Sequence, residues 1–187
     1  MTSPGPSRAE RYLAHLDRVS GGVEPGFMTL DAPAGPPVSV ITYEDLPERG
    51  MLVSLTYGLS VGHHEDWVVA APELCVAVRS SDHRWGWAVG DIAAQHRGAW
   101  GFHYGMTVDF GEPVSPDSPM TGFVLFAPAV LDPADHRQVD VGDRLPVTIV
   151  GAYPVHEVER QFVGEHGLEA FWAIERDLYD VTRPPVV

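Results

Sequence analysis

The chain has 187 residues, 44% hydrophobic and 20% charged, a balance that excludes a disordered tail and suits a globule able to bury roughly 70% of its unfolded surface. Twenty-six acidic residues against twelve basic ones give a formal charge of -14. That charge argues against nucleic acid and anionic membranes as direct partners, since both are held through Lys and Arg contacts to phosphate, and it suits a basic protein partner.

Ser7-Arg8-Ala9-Glu10 is a capping box, and Ala9, Tyr12, Leu13, Leu16 and Val19 then recur at helical spacing until Gly21-Gly22. These residues predict the first helix. Residues 21–37 are dominated by Gly and Pro, which predicts an irregular connection with a short extended piece near Phe27 to Leu30. Strands are predicted at Val38 to Tyr43, Met51 to Tyr57 and Leu74 to Val78, the first two joined as a hairpin through Pro47 to Gly50. Trp85, Val89, Ile92, Ala93 and His96 mark an amphipathic helix that starts at a cap by Ser81 or Asp82 and ends near Gly98. Met106 to Phe110, Gly122 to Ala127 and Val147 to Tyr153 return to strand character. A last helical region runs from Val155 to about Asp177 with a break at Gly164 or Gly167, and the Pro184-Pro185 tail is extended.

No repeat or composition shift marks a second domain, so residues 1–187 read as a single domain with a flexible terminus over 1–6. Strands come partly in hairpin runs and partly between helices. This predicts an α+β fold, a mixed β-sheet flanked by helices. No run approaches the roughly 20 apolar residues of a membrane span, the N-terminus lacks an apolar signal core, and the cytoplasm is the expected compartment. The lone Cys75, in an alternating strand pattern, excludes an internal disulfide and reads as a small core side chain.

Gly58-Leu59-Ser60-Val61-Gly62 matches the turn that lifts a nucleophilic serine in α/β-hydrolases, and Asp109 or Asp132 with His156 would complete the order Ser, Asp, His. Such a turn must open a helix, whose N-terminus stabilises the oxyanion. Here Pro72 interrupts the segment after the turn, and about fifty residues before it are too few for a parallel hydrolase sheet. Nine histidines raise a metal reading, but no i, i+4 or i, i+2 pair occurs, and His156-Glu157-Val158-Glu159-Arg160 places arginine where a second zinc ligand must stand. No phosphate-binding loop or dinucleotide turn is present, so neither metal nor cofactor is expected.

The surface residues suited to a partner are His63, His64, Glu65 and Asp66, a polar and partly acidic loop, together with Trp87. Two positions from Trp85, Trp87 lies about 200° round the helix from the apolar stripe. Three prolines within Pro113 to Pro119 stiffen the loop after Phe110.

Tyr57-Gly58-Leu59-Ser60, Glu73 to Arg79, Pro113 to Phe123 and Leu178 to Val186 resemble, in order, the landmarks of the suppressor-of-fused (SUFU-like) domain family, over roughly residues 8 to 187. The resemblance implies the same α+β architecture and a non-catalytic protein-binding domain, with Ser60 in a strand-end turn. Bacterial members resemble immunity proteins of toxin systems, so it further implies a protein that binds and neutralises a toxin, with a basic toxin domain as the partner that suits an acidic binder. The alternatives are a Ser60 hydrolase and a regulatory adaptor without a toxin partner.

Overall fold

The computed structural model describes residues 5–187; of the flexible terminus expected over 1–6, residues 1–4 lie outside the described residues. Ser7 caps the first helix, α1 (Arg8–Ser20), by accepting from the Glu10 amide at 3.3 Å, while Glu10 accepts from the Ser7 amide at 2.6 Å. Gly21 ends it at φ 71°, a left-handed conformation that glycine adopts without steric cost.

Seven strands come after it, β1 (Gly26–Leu30), β2 (Val38–Glu44), β3 (Leu52–Tyr57), β4 (Ala71–Val78), β5 (Thr107–Asp109), β6 (Gly122–Phe126) and β7 (Val147–Val155). They form one sheet in the order β1-β2-β3-β4-β7-β6-β5. Every neighbouring pair is antiparallel except β4 and β7. A parallel pair needs a long crossover, which here contains α2 (Arg84–His96), β5, β6 and α3 (Pro133–His136); α4 (Glu157–Trp172) comes last. The architecture is the mixed α+β sheet that the pattern of elements predicts.

Strand alternation sorts the core into two faces. Val38, Val40, Leu52, Leu74, Val76 and Val78 turn towards Trp85, Val89 and Ile92 of α2. Ile41, Tyr43, Val53, Leu55, Cys75 and Ile149 turn the other way, where Tyr12 and Leu16 of α1 cover them. Phe123 belongs to the α2 face and its neighbour Val124 packs with Val163 and Phe171 of α4, so α4 shares the side of α1. The close seat of α2 depends on two glycines. A Cβ on Gly86 would stand 2.5 Å from Ser54 Oγ, and one on Gly90 would stand 2.4 Å from Val40 Cγ2.

Three details differ from the sequence expectation. β4 begins at Ala71 and includes Pro72, which the alternation from Leu74 onward does not suggest. The strand tolerates this proline because the β3–β4 ladder stops at Leu55 opposite Cys75, and Ala71 donates to Pro146 O on the β7 side. Backbone groups alternate sides, so the N–H that Pro72 lacks would face the side β3 has left. The helical region expected over Val155 to Asp177 is shorter: Val155 closes β7, and α4 ends at Trp172, where Arg176 donates to Phe171 O at 2.7 Å and Ile174 O at 2.8 Å. Its break falls at Gly167, at φ 85°. The four-residue α3 is not predicted at all, because a single turn carries no periodicity.

Candidate functional site

Past the last β3–β4 rung the strands part, and the buried side chain of Glu73 fills the gap. Its carboxylate accepts from Thr56 Oγ1 at 2.6 Å, from the amides of Gly58, Leu59 and Ser60 at 2.8, 3.3 and 3.1 Å, and from Ser60 Oγ at 2.5 Å. Gly58 turns the chain at φ 128°, where an added Cβ would meet Pro37 O at 3.0 Å. Thr56 Oγ1 in turn accepts from the Leu74 amide at 2.8 Å, taking the place of a backbone rung. Ser60 Oγ also accepts from an Arg8 Nη2 donor at 2.7 Å. Burial works against the charge on Arg8, but Tyr57, Asp143 and Glu73 outweigh it and hold the guanidinium more firmly protonated.

This geometry is a structural knot and lacks the features of a nucleophile elbow. The Ser60 hydroxyl is itself bonded to the Glu73 carboxylate, with no histidine beside it among the described residues, and residues 61–70 are turns and coil where a hydrolase needs a helix. The nominated partners are engaged elsewhere: the His156 ring nitrogen Nε2 lies 2.9 Å from Arg183 O, and Asp109 accepts from Arg160 at 3.1 Å. Asp132 precedes α3. Burial pushes the Cys75 thiol up to about 12, so it is an inert core group. Among the described residues no group of three or more His, Cys, Asp or Glu is placed to hold a metal ion, and no helix is long and apolar enough to cross a membrane.

The loop from Val61 to Ala70 carries four of the five candidate binding residues. His63, Glu65 and Asp66 are exposed at its surface, and His64 is half-buried. Trp67 fastens the loop: its side chain is buried and its indole N–H donates to Gly101 O at 3.0 Å. Asp66 donates its amide to His64 Nδ1 at 3.2 Å, and Trp67 donates to His64 O at 3.1 Å, closing a tight turn.

Trp87 is the exposed position in a stretch of α2 whose neighbours Trp85, Gly86, Ala88, Val89 and Gly90 are all buried. The residue is 41% exposed, and its ring meets Phe110 edge to face, with centroids 6.1 Å apart. The two aromatics line an open groove of about 510 Å³ with Arg84, Glu112, Pro113 and Val114. The proline-rich loop that forms one wall is anchored from below. Ser115 Oγ donates to Asp82 at 2.6 Å, and Ser118 Oγ donates to Val181 O at 2.5 Å. Burial would raise the Asp82 carboxyl, but Ser115 and the Arg84 amide outweigh it and hold it low.

The C-terminal segment is docked. Arg183 grips the buried Glu159 with two bonds, Nη1 to Oε1 at 2.5 Å and Nη2 to Oε2 at 2.9 Å, while the amides of Val186 and His156 complete the carboxylate's shell at 3.0 and 2.9 Å. Val181 is buried against the α2-side core.

The five predicted residues therefore occupy two places. The His63 carbonyl lies by Gly98, beyond the C-terminal end of α2, whereas Trp87 is in the first turns of that helix, roughly 14 Å along its axis from its last residue His96. Phe110 and Glu112 join Trp87 through the fold; no local spacing in the sequence announces that contact.

The family model for suppressor of fused protein (SUFU) matches residues 34–184. Among solved structures, the chain is similar to a SUFU homolog from Neisseria gonorrhoeae, with a TM-score of 0.72 and 18% identity over 95% of each chain. It is also similar to a chain in the Sufu-Fu complex, with a TM-score of 0.68 and 12% identity over 98% of this chain and 93% of that one. For Drosophila Suppressor of Fused the TM-score is 0.71 and the identity 13%, over 100% of this chain and 54% of that one. No curated protein matches by sequence. The structural likenesses, all at low identity, carry the fold, and the sequence match over most of the length carries the family: the chain belongs to the suppressor of fused protein family.

Proposed function

We propose that this chain is a non-catalytic protein-binding domain and that its role is to bind and neutralise a toxin. The observation that carries the binding reading is the Trp87 groove. An exposed indole set edge to face against Phe110, over a loop stiffened by proline and tied down by Ser115 and Ser118, is an aromatic anchor held ready before binding. A structural relative occurs in the Sufu-Fu complex, which supports the same reading. The toxin as partner rests on the resemblance to bacterial immunity proteins, with the formal charge of -14 suiting a basic target.

The test is affinity purification of the tagged chain from the organism that encodes it, with identification of the bound protein and co-expression of the two. A bound protein that arrests growth alone and is harmless beside the wild-type chain supports neutralisation. A partner without toxicity reduces the role to that of a regulatory adaptor. No stoichiometric partner under any growth condition refutes the binding function itself.

A further inference from the structure

We propose that Val68 and Val69, on the β3–β4 loop just before β4, form an insertion element for a partner protein that offers an apolar pocket rimmed by arginine or lysine. This rests on the protein-binding reading above and names the partner's chemistry.

Val68 and Val69 are 72% and 74% exposed, more than any other large hydrophobic residue in the described chain, and Val61 on the same loop is 44% exposed. Single exposed valines are ordinary on protein surfaces, but an adjacent pair this exposed on a fastened loop calls for a cover. The loop is held on both sides of the pair. On one side Trp67 is buried with its indole bonded to Gly101 O, and Val68 donates to Asp66 O at 3.0 Å. On the other, Ala71 donates to Pro146 O at 2.9 Å and enters β4. Branching at Cβ leaves each valine few rotamers, so little freedom is lost when the pair is covered.

Charge selects the occupant. Glu65 and Asp66 directly precede the anchor, both are exposed, and the only ionic contact either makes with a described residue is that of Asp66 with His64 at 3.5 Å. A second copy of this chain would bring another -14 to the same place, and an anionic lipid surface would repel it as well. A basic rim around an apolar pocket satisfies both the valines and the carboxylates.

The experiment places a photo-crosslinking benzoylphenylalanine at Val69 of the full chain, with Val158 on α4 as the control position, in cells of the organism that encodes it. Crosslinked proteins are identified, and the purified partner is then measured against wild type, Val68→Ser/Val69→Ser and Glu65→Gln/Asp66→Asn, each checked for an unchanged melting temperature. The proposal expects one basic protein joined at position 69 and not at 158. It also expects at least about tenfold weaker binding for the serine pair, through faster release, and slower association with a flatter salt dependence for the amide pair. Crosslinks to lipid or to the chain itself overturn it. So does a partner that loses affinity with Trp87→Ala but binds the serine pair as tightly as wild type, in which case the binding function stands and the valine element does not. If wild type captures no partner, both readings fall together.

Discussion

Two buried carboxylates carry much of the information at the scale of single residues. Glu73 gathers the donors of a turn that has no other way to satisfy them, so Glu73→Ala should leave Thr56, Ser60 and three amides facing an apolar gap. A loss of about 3 kcal/mol or more in urea unfolding is expected, against about 0.5 to 2 kcal/mol for Ser60→Ala, which removes one member of the network. A fluorophosphonate probe should leave Ser60 unlabelled; stoichiometric labelling would restore the hydrolase. Glu159 gives a pH prediction. Burial would raise its carboxyl, but the Arg183 guanidinium and the amides of His156 and Val186 outweigh that and hold it below the usual range. A carboxyl depressed in the folded state stabilises fully above its unfolded value, about 4.3, and that contribution disappears as pH falls through the folded value. Melting temperature should therefore drop steeply below about pH 4, and Glu159→Gln, less stable at neutral pH, should show a shallower acid slope. Neither carboxylate is legible as buried from sequence. Glu73 sits in a β-rich run and Glu159 in a helical one, and both look like surface charges until the fold brings their donors to them.

At the scale of elements, legibility tracks the length of the periodic signal. α1, with its cap, apolar stripe and terminal glycine pair, is read almost residue for residue. β2, β3 and β7 are found because their apolar runs are long and β-branched, whereas α3 is a single turn and β4 hides its first residues behind Pro72. The tail is different in kind, since Pro184-Pro185 announces an extended segment without saying what holds it. It is held by the Arg183 fork on Glu159, the buried Val181 and the Ser118 bond to Val181 O. Deleting residues 178–187 should strand Glu159 as an unpaired buried charge and expose the core under Val181. The expected loss is about 3 to 5 kcal/mol, on the scale of breaking a buried ion pair, read as a fall in melting temperature. An unchanged transition would mean that the tail adds nothing to the domain.

At the scale of the whole molecule, the mixed sheet between α2 on one face and α1 with α4 on the other leaves the loop of His63 to Asp66 and the Trp87 groove at separate ends of α2. Composition and spacing identify these residues as surface candidates, but their separation comes from tertiary packing. The two places predict different kinetics. Charges act before contact, so an acidic chain meeting a basic partner should gain association rate from forces that extend over roughly a Debye length. That length falls from about 30 Å to about 8 Å between 0.01 and 0.15 M ionic strength, and association should slow by about tenfold or more across that range while release changes little. Charge reversal at Glu65 and Asp66 should reproduce part of that slowing at low salt and remove part of its salt dependence. Trp87→Ala should act on the other side of the equilibrium, because an anchor in a desolvated groove forms its contacts only after docking, and loss of the indole should speed release with association nearly unchanged. Stopped-flow association and surface-plasmon dissociation on the identified partner separate the two effects. An association rate indifferent to salt, or a partner that is itself acidic, would refute the electrostatic steering and leave apolar contacts to account for the affinity.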